Sequence, residues 1–194
     1  LKVTQTLLLC DKSKDENNCG LLQLKETVKP DLLYKQYFYR SAVSDTMRKD
    51  LYDVVKDVTP RVDLNDGDVV VDIGANDCTM LSYFNSNLRR IGVEPAENIN
   101  WDHVDDSITI VNDYFSFDAL DPTIGEDKVK IFSSCAMFYD LDDPFPFAQD
   151  VKDILDDDGL WVMQLSYTPL MLNQLAFDNI CHEHICYYSL SSLK

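Results

Sequence analysis

Between Asp45 and Leu165 the apolar positions change period several times. Met47, Leu51, Val54, Val55 and Val58 recur at helical spacing, and Pro60 closes the run. The turn Asn65-Asp66-Gly67-Asp68 leads into Val69-Val70-Val71-Asp72-Ile73, a short β-branched stretch that predicts a buried strand. Met80, Leu81, Phe84 and Leu88 predict a helix after it. Further strands are predicted at Ile91–Glu94, stopped by Pro95, and at Ile108–Val111, Val129–Ser134 and Leu160–Leu165. Phe147, Val151, Ile154 and Leu155 mark a helix before the last strand, which Asp158-Gly159 sets off. Strands alternating with helices predict an α/β domain over residues 45–194, a doubly wound, Rossmann-like parallel sheet with helices on both faces. Residues 1–44 lack this rhythm and predict a small irregular N-terminal appendage. Ligands of such sheets bind beyond the carboxyl ends of the strands, so the chemistry is expected there.

The strand at Val69–Ile73 runs into Asp72-Ile73-Gly74-Ala75-Asn76-Asp77. Gly74 permits a sharp turn and close approach to a ligand, and a helix beginning beyond it would offer free N–H groups. Glu94 follows twenty residues later at the end of the next strand, where an acid can accept hydrogen bonds from both ribose hydroxyls. The second and third glycines of a dinucleotide fingerprint are absent, and Asp77 would repel a phosphate, which argues against a nicotinamide dehydrogenase. A ribose-bearing ligand with a cationic, amino-acid-like tail fits better, and S-adenosylmethionine has that make-up. Beyond the third strand, Asp113 is placed to bind the adenine amino group and Phe115 to stack on the ring, with Tyr114 between them; the same residues also suit a strand-capping acid and a core aromatic.

Composition narrows the partners. The chain has 194 residues, enough for one domain with a core, and 17 Lys+Arg against 34 Asp+Glu give a net charge of −17. That field repels nucleic acid and gives no basic membrane-surface patch. The runs Asp140-Leu141-Asp142-Asp143 and Asp156-Asp157-Asp158 are expected on solvated loops and helix ends. No apolar run reaches 18 residues, Leu1-Lys2-Val3 does not begin a signal peptide, and the six scattered cysteines suit reduced thiols, so a cytoplasmic location is expected. The lack of an initiator Met predicts that the chain is preceded by further residues.

Cys181-His182-Glu183-His184 holds two of the three histidines. In an extended segment His182 and His184 share one face and Glu183 takes the other. This is not a zincin motif, and no third ligand completes a metal site. Imidazole beside a carboxylate suits acid–base work, while a surface pair of histidines fits the same residues.

Taken in order, several stretches resemble the bacterial class I methyltransferases that include the nucleotide-sugar C-methyltransferases. They are Cys19-Gly20-Leu21-Leu22-Gln23-Leu24, Tyr37-Phe38-Tyr39-Arg40-Ser41, the Asp72–Asp77 turn, Gly92-Val93-Glu94-Pro95, Phe138-Tyr139-Asp140-Leu141, Trp161 to Tyr167, and Phe177 to Leu190 through the His-Glu-His segment. The resemblance implies a cofactor site for S-adenosylmethionine at Asp72, Gly74, Asn76, Asp77, Glu94, Pro95, Asp113, Tyr114 and Phe115, with Tyr37 in the segment that closes over it. It implies methyl transfer to a small-molecule acceptor such as a nucleotide-linked keto sugar, with His184 as base, Glu183 as its supporting carboxylate, and His182 and Tyr39 in the same catalytic set. It also implies an N-terminal zinc-binding part, a C-terminal substrate domain and seven strands. Here the first Cys pair is absent and eight residues, Asp11 to Asn18, separate Cys10 from Cys19, so the appendage is expected to be a metal-free remnant; five strands are expected, as in a fragment or a reduced homologue. An open sheet edge predicts pairing or covering. Cys78 stands where the family has Gly, Tyr139 where sugar-modifying members have His, and Cys181 where they have Tyr. A left-handed backbone at Cys78 would be strained. Tyr139 and Cys181 bear on the sugar acceptor and not on methyl transfer, whereas the Cys78 replacement, the altered zinc cysteines and the short C-terminus keep open the alternative of a catalytically inactive nucleoside-binding or protein-interaction module.

Overall fold

The computed structural model describes residues 4–194. The first three residues of the predicted appendage lie outside the described residues. Strands β1 (Leu7–Leu9) and β2 (Leu22–Leu24) pair antiparallel, and a one-turn helix α1 (Pro30–Tyr34) follows. Helix α2 (Asp45–Val58) starts where predicted, because the Ser44 side chain caps it by accepting from the Met47 N–H. Its Leu51, Val55 and Val58 are buried, which fixes the face that meets the sheet.

The main sheet follows: β3 (Val69–Ile73), β4 (Arg89–Val93), β5 (Ile108–Val111), β6 (Val129–Cys135) and β7 (Leu155–Gln164), with α3 (Phe117–Ile124) before β6 and α4 (Pro144–Ile154) before β7. All pairings are parallel, in the spatial order β5-β4-β3-β6-β7. Every residue of β3 is buried, as a central strand covered on both faces requires. Its side chains alternate between two cores. Val69, Val71 and Ile73 join Leu120, Phe147 and Val151 on the α3–α4 face, whereas Val70 packs with Leu51, Leu81 and Phe84 on the α2 face. The predicted doubly wound sheet is thus present, five strands included.

Two local expectations fail. No α-helix follows Gly74; Leu81–Tyr83 form a single 3₁₀ turn. Left-handed backbone at Asn76 and Cys78 breaks the helical path, and Asn and Ser side chains compete for local backbone: Asn85 accepts from the Asn87 N–H. Met80, Leu81, Phe84 and Leu88 are nonetheless buried against the sheet, so their periodicity reported burial and not helix. Leu155 also leaves the predicted helix and opens β7, pairing with Val129. A chain excursion through α5 (Thr168–Gln174) then returns as β8 (Cys186–Tyr187), which pairs antiparallel with β2. The N-terminal appendage therefore shares a small sheet with the segment that follows His184.

Register brings the site together. Ile73 faces Val93 across β3–β4, and Val93 faces Val111 across β4–β5. Gly74, Glu94 and Asn112 consequently leave the sheet side by side.

Candidate functional site

A cavity of about 520 Å³ opens at this carboxyl edge. Its inner wall is the Gly74 turn. Gly74 has φ +73, and a Cβ there would meet Met137 Cγ at 3.3 Å. The Gly74 and Ala75 amides both donate to the Val93 carbonyl, at 2.9 and 3.1 Å. Glu94 is 5% exposed and accepts from the Asn76 N–H at 2.8 Å and the Ala96 N–H at 2.9 Å. Each oxygen keeps a further lone pair for a ligand hydroxyl. Burial pushes the Glu94 carboxyl up, and the two amides partly offset this. Asp72 is buried more deeply and is pushed up to about 7 by that burial, although the Ser133 hydroxyl donates to it at 2.6 Å. The turn fits against β4 because Gly92 has no side chain: a Cβ there would come within 3.0 Å of Cys78 Sγ. Cys78 itself has φ +59, the strained conformation anticipated from its sequence position.

Asn76 and Asp77 act differently from one another. Asn76 lines the cavity, accepts from the Ser41 N–H at 3.0 Å and donates to the Tyr39 carbonyl at 3.1 Å. Asp77 lies outside the lining and accepts from the Ala42 N–H at 2.8 Å. Together they fasten the Tyr39–Ala42 segment over the turn. Arg40, which sequence reasoning missed, staples the same segment by donating to the carbonyls of Tyr37 and Tyr39, each at 2.6 Å, and of Asn98 at 2.9 Å. Tyr37 and Tyr39 thereby roof the cavity. Pro95, Tyr114 and Phe115 line it, but Asp113 does not: Asp113 is exposed and accepts from the Tyr114 N–H. Phe115 also packs on Phe132 and Phe147, as expected of a core aromatic.

The outer wall comes from distant segments. His184 and Glu183 line the cavity, whereas His182 does not and its Nδ1 is buried without a partner among the described residues. His184 Nδ1 lies 2.8 Å from the Asn179 carbonyl. A carbonyl only accepts, so Nδ1 donates, and in the neutral ring it is Nε2 that holds the lone pair. The Tyr139 ring meets the imidazole edge-on at 4.5 Å, and the Ile185 N–H donates to the Tyr139 carbonyl at 3.0 Å. Leu24 in turn donates to the Ile185 carbonyl at 2.8 Å, which ties the imidazole segment to β2.

Sequence reasoning also missed Asp140. It was expected on a solvated loop, but it lines the cavity on a 3₁₀ turn packed beneath Tyr34 and Glu183. Burial pushes it up to about 8, with the neighbouring Glu183 charge adding to the rise. Asp156 likewise sits in β7 beside Lys130 at 3.3 Å, because the strand begins earlier than its sequence suggests. Among the described residues no group of three or more His, Cys, Asp or Glu is placed to hold a metal. Cys10 and Cys19 do meet, the Cys19 N–H donating to Cys10 Sγ at 3.2 Å. No described helix is long and apolar enough to cross a membrane.

No family model matches the sequence. It is 28% identical over 182 residues to C-methyltransferase NovU of Streptomyces niveus, a span of 90% of this chain and 42% of that protein. The chain thus spans less than half the length of that relative. Among solved structures it resembles a methyltransferase of Haloferax volcanii in complex with the activator Trm112, with TM-score 0.57, 20% identity, and 77% of this chain and 69% of that chain covered. It also resembles a possible histamine N-methyltransferase of Thermotoga maritima (TM-score 0.54, 15% identity, 75% and 66% covered). Coclaurine N-methyltransferase bound to S-adenosylhomocysteine is a further likeness (TM-score 0.51, 12% identity, 85% and 51% covered). The fold is therefore the Rossmann-like α/β fold of the methyltransferases.

Proposed function

We propose that this chain is the cofactor-binding and base-bearing part of an S-adenosylmethionine-dependent C-methyltransferase acting on a small keto metabolite, with a nucleotide-linked sugar as the leading acceptor class. One observation carries the reading: a single cavity joins Gly74 and Glu94, at the ends of β3 and β4, to His184, whose Nδ1 is held by the Asn179 carbonyl. The relative NovU is itself named a C-methyltransferase. Residues 45–194 supply the nucleoside half of that cavity, and residues 1–44 supply part of its roof.

The residues fit the cofactor. Glu94 has lone pairs left for both ribose hydroxyls, Gly74 leaves room where a side chain would intrude, and Phe115 and Tyr114 flank the place of the base. When bound, S-adenosylmethionine supplies a methyl group on a sulfonium centre, open to attack in line by a carbon nucleophile. His184 Nε2 removes a proton from the acceptor carbon beside its carbonyl, leaving the electron pair on that carbon. The nearby Glu183 charge stabilises the imidazolium that results. Tyr37 and Tyr39 keep water from the reacting centre.

Calorimetric titration with S-adenosylhomocysteine tests this. The intact chain is expected to bind, His184→Asn to bind equally well but to transfer no methyl group, and Glu94→Ala to lose binding. Failure of the intact chain to bind sinks the proposal.

A further inference from the structure

The outer half of the cavity has a composition that cofactor binding does not use. Tyr34, Tyr37 and Tyr139 line it together with Asp140 and Glu183. The rings of Tyr34 and Tyr37 are 5.9 Å apart at 56°. Asp72, Glu94 and Asp142 bring the carboxyl groups of the lining to five, and no Lys or Arg side chain lines it among the described residues. The cations nearby are engaged elsewhere. Arg40 donates to backbone carbonyls, and Lys35 pairs with Glu97 at 3.2 Å.

Two groups on this wall want a donor or an acceptor. Asp140 Oδ1 is shielded from solvent and has no partner among the described residues. Tyr139 is 8% exposed, and its hydroxyl bonds to none of the described residues. A phosphate placed here would meet Glu183 and a wall of acidic groups with no cation to compensate, whereas a bound cation would favour the ionised form of Asp140 that burial disfavours. A neutral hydroxyl could satisfy one oxygen but would gain nothing from the second acid. A protonated amine answers both features, because carboxylates accept charge-assisted hydrogen bonds and tyrosine faces attract cations.

We propose that the acceptor carries a protonated amine, which docks between Asp140, Glu183 and the tyrosine rings, and that any phosphate of the acceptor lies outside this cavity. This rests on the methyltransferase reading above and specifies its substrate. The amine gives the acceptor a fixed point beside His184, so that the carbon losing its proton is presented to Nε2.

The test uses the intact chain saturated with S-adenosylhomocysteine. Three probes with the same ring and different charge are titrated by ligand-observed NMR: D-glucosamine in its protonated form, D-glucose and D-glucose 6-phosphate. The expected order is amine over neutral over phosphate, with the amine about tenfold tighter than the neutral sugar. Asp140→Asn and Glu183→Gln are each expected to bring that ratio towards one while leaving S-adenosylhomocysteine affinity within about twofold. Attraction by the overall charge of −17 would instead be screened by salt and indifferent to either substitution. Failure of the cofactor product to bind overturns the methyltransferase reading. Binding of that product with no glucosamine binding, with glucose 6-phosphate as tight as glucosamine, or with an unchanged ratio in both variants, overturns this proposal alone.

Discussion

The two halves of the cavity are built by opposite means. The half proposed for the nucleoside is made by residues at the ends of neighbouring strands, and its polar groups are held by protein partners. Glu94 is held by two amides, Asp72 by Ser133, and Asn112 clamps the exit of β4 by donating to the carbonyls of Glu94 and Ala96. The acceptor half is gathered from residues around 34–40, 139–142 and 179–185, and it leaves Asp140 Oδ1 without a partner. On the proposed function, strand register sets the cofactor side of the cavity, and segments far apart in sequence set the acceptor side.

Substitutions break the comparison with graded effects. The largest is expected at Glu94→Ala, which removes two charge-assisted contacts to a ribose and should weaken S-adenosylhomocysteine about 100-fold by calorimetry. It also frees the Asn76 and Ala96 amides, so thermal stability should drop as well. Arg40→Ala comes next. It unpins Tyr37 and Tyr39 without touching the Gly74 turn, and an affinity loss of about tenfold is expected, with melting temperature nearly unchanged.

Stability against pH sharpens the same contrast. Asp72 is pushed up to about 7 in the folded chain, well above an unfolded carboxyl. The folded state therefore binds more protons than the unfolded state between these values, and the slope of unfolding free energy with pH is negative there. Asp72 contributes stability that is fully present below the unfolded value and lost as pH rises through about 7. Asp140 acts with the same sign up to about 8. Urea titrations of the ligand-free chain from pH 5 to 7 should show stability falling, and Asp72→Asn should reduce the slope by up to about 1.4 kcal/mol per pH unit. The smallest effect is expected at Cys78→Gly. Relief of the left-handed backbone and loss of a thiol packed beneath Gly92 oppose one another, and a net change within about 1 kcal/mol is expected in the same titrations.

The nucleoside half was the more legible in sequence for a physical reason. Val69–Ile73 reads as a buried strand because β-branched residues and flanking turns are local signals, and the distance from Gly74 to Glu94 measures one strand–connection–strand unit. The connection is less legible, since Met80, Leu81, Phe84 and Leu88 cover the sheet as well from a loop as from a helix. Asp113 was placed in the site because it follows β5, yet its side chain folds back onto the next amide. Asp140 could not be found by such reasoning. It is one of 34 acidic residues, and only the packing of Tyr34 and the His-Glu-His segment over it makes it unusual. His184 stood out through family resemblance, but which of its nitrogens is free depends on the Asn179 carbonyl, five residues away in sequence and fixed by a turn the sequence does not announce.

In the proposed function one cavity presents a nucleoside to Glu94 and a reacting centre to His184. A crystal structure of the chain with S-adenosylhomocysteine tests it most directly. Ribose hydroxyls are expected within hydrogen-bonding distance of Glu94, with the adenine beside Phe115 and the sulfur turned towards His184. Density for the nucleoside elsewhere, or a sulfur facing away from the His184 wall, would contradict it.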